Sequence, residues 1–483
     1  MIAILAIVVA LALLIYGAYR GLSVLLLAPA LAALLAIVSV DAPLLASYTQ
    51  VFMGAAGDFI VRFFPLFLLG AVFGKLMEDS GSAETIARAI VARLGAQRAI
   101  LAVVLACAVM TYGGVSLFVV AFAVFPVAAA LFREADLPRR LIPGTIALGA
   151  FTFTMTALPG TPAIQNAIPM PYFGTSPFAA PGLGILTAVV MFTLGMAWLN
   201  HRASRARKAG EGYGTGADSG PQVDPALRPQ AAGEGFDLIE VPGGASGADR
   251  PGLTLAALPL ALVIVLNLLF TLLIIPAMDT GYLAEARYGA TSIESLRGIW
   301  SVIAALVLSS LVLVAGNWRR LTGLTRSLDS GAHASLLPIF NTASLVGFGA
   351  VVASLAAFGT ISEWVTGVGG DNPLISLAIA VNLLAGMTGS ASGGMSIALS
   401  TLGDTYLAMG QAAGIAPELL HRVTAVATGG LDALPHNGAV ITLLSICGLT
   451  HRQAYLDIAV VAMVVPLVSL VFLIAAGTLF GTF

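Results

Sequence analysis

Apolar runs long enough to cross a membrane recur along almost the whole chain, and they constrain the fold more than any other feature. They lie near 2–19, 22–40, 59–78, 141–170, 181–200, 253–277, 297–316, 335–358, 420–448 and 455–480. About 20 apolar residues of helix cross the hydrocarbon core of a bilayer. In lipid the backbone must satisfy its own hydrogen bonds, so such runs fold as helices. Composition agrees, with 58% of the 483 residues hydrophobic and 10% charged, where a soluble domain carries about 25% charged residues. The chain is therefore expected to be an all-α polytopic membrane protein with about ten transmembrane helices and the lipid bilayer as its solvent. So few charges cannot cover a water-facing surface, which excludes an ordinary soluble enzyme and a disordered chain. A net charge of −2 invites no nucleic acid. Cys107 and Cys447 both sit in apolar runs and suggest neither a disulfide framework nor a metal site. The first run lacks a basic leader and a small-residue cleavage site, so it is expected to stay as a helix.

Two further apolar stretches, 97–132 and 373–409, are interrupted by glycine clusters and read as re-entrant hairpins. If each hairpin enters and leaves on one side and both termini are periplasmic, 18 of the 22 Lys and Arg residues fall inside. Four, Arg62, Arg287, Arg297 and Arg422, fall outside. That asymmetry sets the orientation. The segment 201–251 opens with Arg202, Arg205, Arg207 and Lys208 and continues rich in Gly, Pro, Ala and Asp. It reads as a flexible cytoplasmic linker. Its Gly244-Ala245-Ser246-Gly247 is a chance match to a serine-protease pattern in an aqueous loop.

The two halves resemble each other. Met110-Thr111-Tyr112-Gly113-Gly114-Val115-Ser116 parallels Met387-Thr388-Gly389-Ser390-Ala391-Ser392-Gly393-Gly394, with starts 277 positions apart. Leu158-Pro159-Gly160-Thr161-Pro162-Ala163 parallels Leu434-Pro435-His436-Asn437-Gly438-Ala439, offset by 276. Residues 1–200 and 252–483 thus read as two repeats, each of five spans plus one hairpin. An odd number of spans inverts the second repeat relative to the first. Inverted repeats with broken helices at matching positions mark secondary transporters, with the substrate where the breaks meet.

Pro159 and Pro162 cannot continue a helix, and Pro435-His436-Asn437-Gly438 breaks its span in the same way. A helix restarting after a break turns free N–H groups and a positive dipole end toward the cavity, which suits a carboxylate. The candidate substrate-binding residues are Thr111, Gly113, Gly114, Ser116, Gly160, Thr161, Asn166, Thr388, Ser390, Ser392, Gly393, His436 and Asn437. Small residues let the backbone approach a ligand, and hydroxyls donate and accept. Small residues also serve plain helix packing in membranes. No Lys or Arg falls in the middle of a span, so helix ends, amides and hydroxyls would hold the anion, which favours a monocarboxylate. Asp432 lies well inside a span, where a carboxylate is costly and tends to be functional. With His436 it is a candidate proton-coupling pair, or else a brace for the break.

The run Gly70-Ala71-Val72-Phe73-Gly74-Lys75-Leu76-Met77-Glu78-Asp79-Ser80-Gly81, followed by Ala83-Glu84-Thr85-Ile86-Ala87, resembles the gluconate:proton symporter (GntP) family. So do Leu158-Pro159-Gly160-Thr161-Pro162-Ala163-Ile164, Gly389-Ser390-Ala391-Ser392 and Pro417-Glu418-Leu419-Leu420. The resemblance covers most of the chain outside the linker. It implies a bacterial inner-membrane protein importing a small organic acid anion, mostly by proton symport, with no cofactor beyond the coupling ion. Its wider superfamily, the ion transporter superfamily, implies inverted repeats, re-entrant hairpins, a homodimer and elevator-type alternating access. Gluconate-type members carry a histidine in the first break, whereas here His436 stands in the second. The lean polar complement suits a less hydroxylated acid such as 3-hydroxybutyrate. A sodium-coupled carboxylate symporter and a cation/proton antiporter are the competing readings. Against an intramembrane enzyme, there is no HExxH motif and no GxSxG elbow in a span.

Overall fold

The computed structural model describes residues 2–20, 22–39, 42–214, 250–370 and 372–483. The described residues form helices and no strand. Most of the proposed linker and its Gly244–Gly247 match lie outside them.

The first half runs α1 (Ile2–Tyr19), α2 (Val24–Val38), α3 (Leu44–Asp79), α4 (Ser82–Leu94), α5 (Ala99–Tyr112) and α6 (Leu117–Glu134). A broken segment of short helices follows: α7 (Ile142–Ala150), α8 (Phe153–Thr156), α9 (Ile164–Ala167) and α10 (Pro169–Phe173). Then comes α11 (Pro181–Lys208), which carries the first turns of the expected linker as continuous helix. The second half repeats that order. It has a helix pair, α12 (Leu253–Ala277) and α13 (Ile293–Gly316), a long α14 (Leu324–Ser354) and a short α15 (Phe358–Gly367). A hairpin of α16 (Pro373–Thr388) and α17 (Ala391–Ala412) precedes a broken α18 (Pro417–Thr428) and α19 (Gly438–Ile446), and α20 (His451–Phe480) closes the chain.

Seven helices are long and apolar enough to cross a membrane, or eight if α4 and α5, bent by 102°, count as one. The seven include α6, half of the expected 97–132 hairpin, and further differences separate them from ten uninterrupted spans. The segments 141–170 and 420–448 contain no helix of spanning length, because proline and glycine fragment them. At the other extreme, α3 starts 15 residues before its expected 59 and α14 starts at 324 rather than 335. Finally, α2 spans only 15 residues. Apolar side chains such as Val61 (82% exposed) and Leu26 (72% exposed) stand outward, as a lipid solvent permits and water does not.

The packing exchanges partners between the halves. The long helices α3 and α14 lie antiparallel: Gly331 packs on Val72 and Gly347 on Phe52. Helix α2 packs on α14, and its counterpart α13 packs on α3. Helix α6 packs on α19, the restart of the second break, while α17 packs on α9 and α10, the restart of the first.

Candidate functional site

Each hairpin turn is tied to the break of its own half. In the first, Gly114 adopts φ +93°, and a Cβ there would lie 2.9 Å from Pro162 Cγ, so the turn needs glycine twice over. The Tyr112 hydroxyl donates to the Pro159 carbonyl at 2.6 Å. In the second, Gly389 adopts φ +63° against the His436 ring, and Asn437 Nδ2 donates to the Gly389 carbonyl at 2.7 Å. Ser390 caps α17 by accepting from Gly393 N, and Asn437 caps α19 by accepting from Val440 N.

Backbone freed by the breaks finds side-chain partners, as a dry interior demands. In the first break, Asn267 Nδ2 donates to the Gly160 carbonyl, Asn166 Nδ2 donates to the Thr161 and Pro177 carbonyls, and Gly160 N donates to Pro177 O. In the second, Asn382 Oδ1 accepts from Leu431 N, the Tyr455 hydroxyl donates to Ala433 O, and His451 Nε2 bonds Pro435 O.

Arg422, near the start of the expected 420–448 span, is fully buried. Its Nε and Nη2 donate to the Ala179 carbonyl, and its Nη1 donates to Thr156 O and Asn166 Oδ1. The adjacent His421 bonds Thr175 Oγ1 through Nδ1 and Asn166 Oδ1 through Nε2. The physical reason is the fragmented first break, whose exposed carbonyls solvate the guanidinium. A second-half helix thereby grips the first-half break.

A cavity of about 280 Å³ opens between the two halves. The first hairpin turn contributes Thr111, Gly114 and Ser116, and the second contributes Ser392. The first break adds Pro162, Ala163 and Gln165, and α14 adds Ser330 and Ser335. One face of α3 completes the wall with Gly70, Ala71, Lys75 and Glu78. Two polar atoms of the wall, Thr111 Oγ1 and Gln165 Oε1, are buried without a protein hydrogen-bond partner. Ser116, the cap residue of α6, makes no side-chain cap bond, and the first turn of that helix lines the cavity. A helix N-terminus, a lysine and unsatisfied polar atoms together suit an anionic group bearing a hydroxyl.

The remaining candidates stand around this cavity rather than in its wall. Gly113 abuts Leu260, Gly393 abuts Leu345, and Gly160, Thr161 and Asn166 form the interior of the first break. Thr388 bonds its own helix, and Ser390, His436 and Asn437 join the second hairpin turn to the second break. Asp432 lies in the short helical turn of that break, also outside the wall. Lys75, Glu78 and Gln165 were missed as site residues. The i, i+3 and i+4 spacing of Lys75, Glu78 and Asp79 predicts an ion-paired helix face but not that it meets a cavity, and Gln165 carries no such signal.

Long apolar helices, paired breaks and a cavity where they meet describe a multi-pass membrane protein, and comparison with known proteins places it among transporters. Residues 1–195 match the GntP family permease model. The chain is 45% identical over 463 residues, 95% of each chain, to an uncharacterized transporter, YxjC, of Bacillus subtilis (strain 168). It therefore belongs to the GntP permease family. Among solved structures it resembles the YdaH transporter of Alcanivorax borkumensis, described as having an unusual topology. The TM-score is 0.57 at 15% identity over 98% of both chains, a likeness of fold alone.

Proposed function

We propose that the protein imports a small organic monocarboxylate, gluconate-like or a short hydroxy acid such as 3-hydroxybutyrate, by proton symport. The supporting observation is the cavity, where Lys75, the N-terminal turn of α6 and the unpartnered Thr111 and Gln165 converge. Its volume of about 280 Å³ suits a small acid. In this reading the protein sits in the bacterial inner membrane with the 201–251 linker cytoplasmic and both termini periplasmic. Its hairpins enter and leave on one side, and it works as a homodimer by alternating access.

Uptake of labelled lactate, 3-hydroxybutyrate and gluconate into proteoliposomes tests this. Accumulation of one acid driven by an inward pH gradient is the expected result. Accumulation driven by a sodium gradient instead would replace the proton with sodium. Proton efflux driven by a cation gradient with no acid present would favour an antiporter.

A further inference from the structure

The cavity wall holds two buried polar atoms that bond nothing in the protein, Thr111 Oγ1 and Gln165 Oε1. Thr111 is only 4% exposed. Hydroxyls on other helices of this fold bond a carbonyl one turn back, as Thr145 does to Leu141 and Thr187 to Leu183. Thr111 makes no such bond. Elsewhere in the wall, Ser335 Oγ donates to Ala332 O at 2.7 Å, and Ser392 Oγ shares hydrogen bonds with Ser390 Oγ and Thr342 Oγ1. The two unpartnered atoms belong to one junction, where the first hairpin meets the first break. Thr111 precedes Tyr112, whose hydroxyl bonds Pro159 O, and Gly114 lies against Pro162, three residues before Gln165. A buried polar atom without a partner costs free energy that a ligand can return.

The chemistry of these two atoms restricts what can return it. An amide oxygen only accepts, so whatever meets Gln165 Oε1 must donate. An ionised carboxylate also only accepts and cannot satisfy it. A hydroxyl does both, and so does the Thr111 side chain. We propose that one hydroxyl of the cargo donates to Gln165 Oε1 and accepts from Thr111 Oγ1, and that this pair makes the protein select a hydroxy acid over the same acid without its hydroxyl. The cargo carboxylate lies at the start of α6, where Ser116 and Leu117 line the cavity and Ser116 makes no side-chain cap bond. The alkyl remainder faces Leu66, Phe67, Met155 and Leu306. Three unlike contacts at fixed places also distinguish mirror images, because only one enantiomer puts carboxylate, hydroxyl and alkyl group on all three. This inference rests on the permease reading above and names the residues that set its specificity.

The test measures binding of matched acids to the purified full-length protein, alongside uptake into proteoliposomes. The pairs are 3-hydroxybutyrate against butyrate, lactate against propionate and gluconate against hexanoate, with both enantiomers of the first two hydroxy acids. In the pair that binds, the hydroxy acid is expected to bind at least about tenfold tighter than its partner, which leaves both wall atoms unsatisfied. One enantiomer is expected to bind at least about fivefold tighter than the other. Thr111→Val keeps the side-chain shape and removes the hydroxyl. It is expected to hold the melting temperature, since that hydroxyl bonds nothing in the protein, and to cut the preference for the hydroxy acid at least about fivefold. Thr111→Ser restores the preference, and Gln165→Leu cuts it as Thr111→Val does. A hydroxy acid and its partner bound within about twofold by the wild type, or a full preference kept in both Thr111→Val and Gln165→Leu, overturns the inference while leaving the permease standing. Equal binding of the two enantiomers overturns the three-point placement. Wild-type protein that binds and accumulates none of the acids overturns both readings.

Discussion

A guanidinium sealed in a membrane protein without a carboxylate needs its charge solvated by dipoles. Arg422 achieves this with two backbone carbonyls and one amide oxygen, in a planar fork that a lysine cannot copy. Removing it takes the guanidinium from the Thr156 and Ala179 carbonyls and leaves Asn166 Oδ1 with His421 alone. Arg422→Met is therefore expected to destabilise the protein by about 3–5 kcal/mol, with no rescue by Arg422→Lys. Thermal unfolding in detergent measures the loss. Gly149 is equally constrained, because a Cβ there would sit 2.5 Å from the Val104 carbonyl and 2.6 Å from Cys107 Cβ. Gly149→Ala is expected to cost about 1–3 kcal/mol in the same assay, since the close crossing of α5 and α7 must open. At this scale the Pro-Gly breaks and the hairpin glycines could be read directly from residue type. The burial of Arg422 could not, because its sequence position suits a span end as well as an interior.

Each hairpin turn is hydrogen-bonded to its break through a side chain. The link runs through Tyr112 in the first half and through Asn437 in the second. The donor sits in the hairpin turn in the first case and in the break in the second. Tyr112→Phe leaves the Pro159 carbonyl without that donor and is expected to cost about 0.5–1.5 kcal/mol. Asn437→Ala also removes the α19 cap and is expected to cost more, about 1–3 kcal/mol. Comparing the two melting temperatures checks the order.

At the scale of the whole molecule, the halves interlock. Asp457 on α20 is 1% exposed and draws Arg140, Arg202 and the Trp198 indole N–H together from the first half. Asp457→Asn is expected to destabilise strongly, by about 3–5 kcal/mol, because two guanidinium groups lose their shared charge. Arg140 also binds Glu211 beyond α11, at 2.6 Å, and this hydrogen bond holds the Glu211 carboxyl below its usual range. A depressed carboxylate stabilises the fold above its ordinary value, about 4.3, and loses that effect as pH falls through the depressed one. Glu211 is largely exposed, so the effect is below about 1 kcal/mol. Glu211→Gln should slightly lower the melting temperature near neutrality, and the difference should shrink as pH falls through the depressed native value.

How far residue order reaches follows from these three scales. Apolar run length, proline and glycine act locally. From them came the helical class and the places where helices break. The cavity wall depends on which face of α3 meets the hairpin turns, and on Gly331 and Gly347 letting α14 lie close against α3. Those are contacts between residues hundreds of positions apart, set by packing rather than by any local propensity. Hence Gly114 and Ser116 could be proposed from their motif, while Lys75, Glu78 and Gln165 joined them only once the helices had docked.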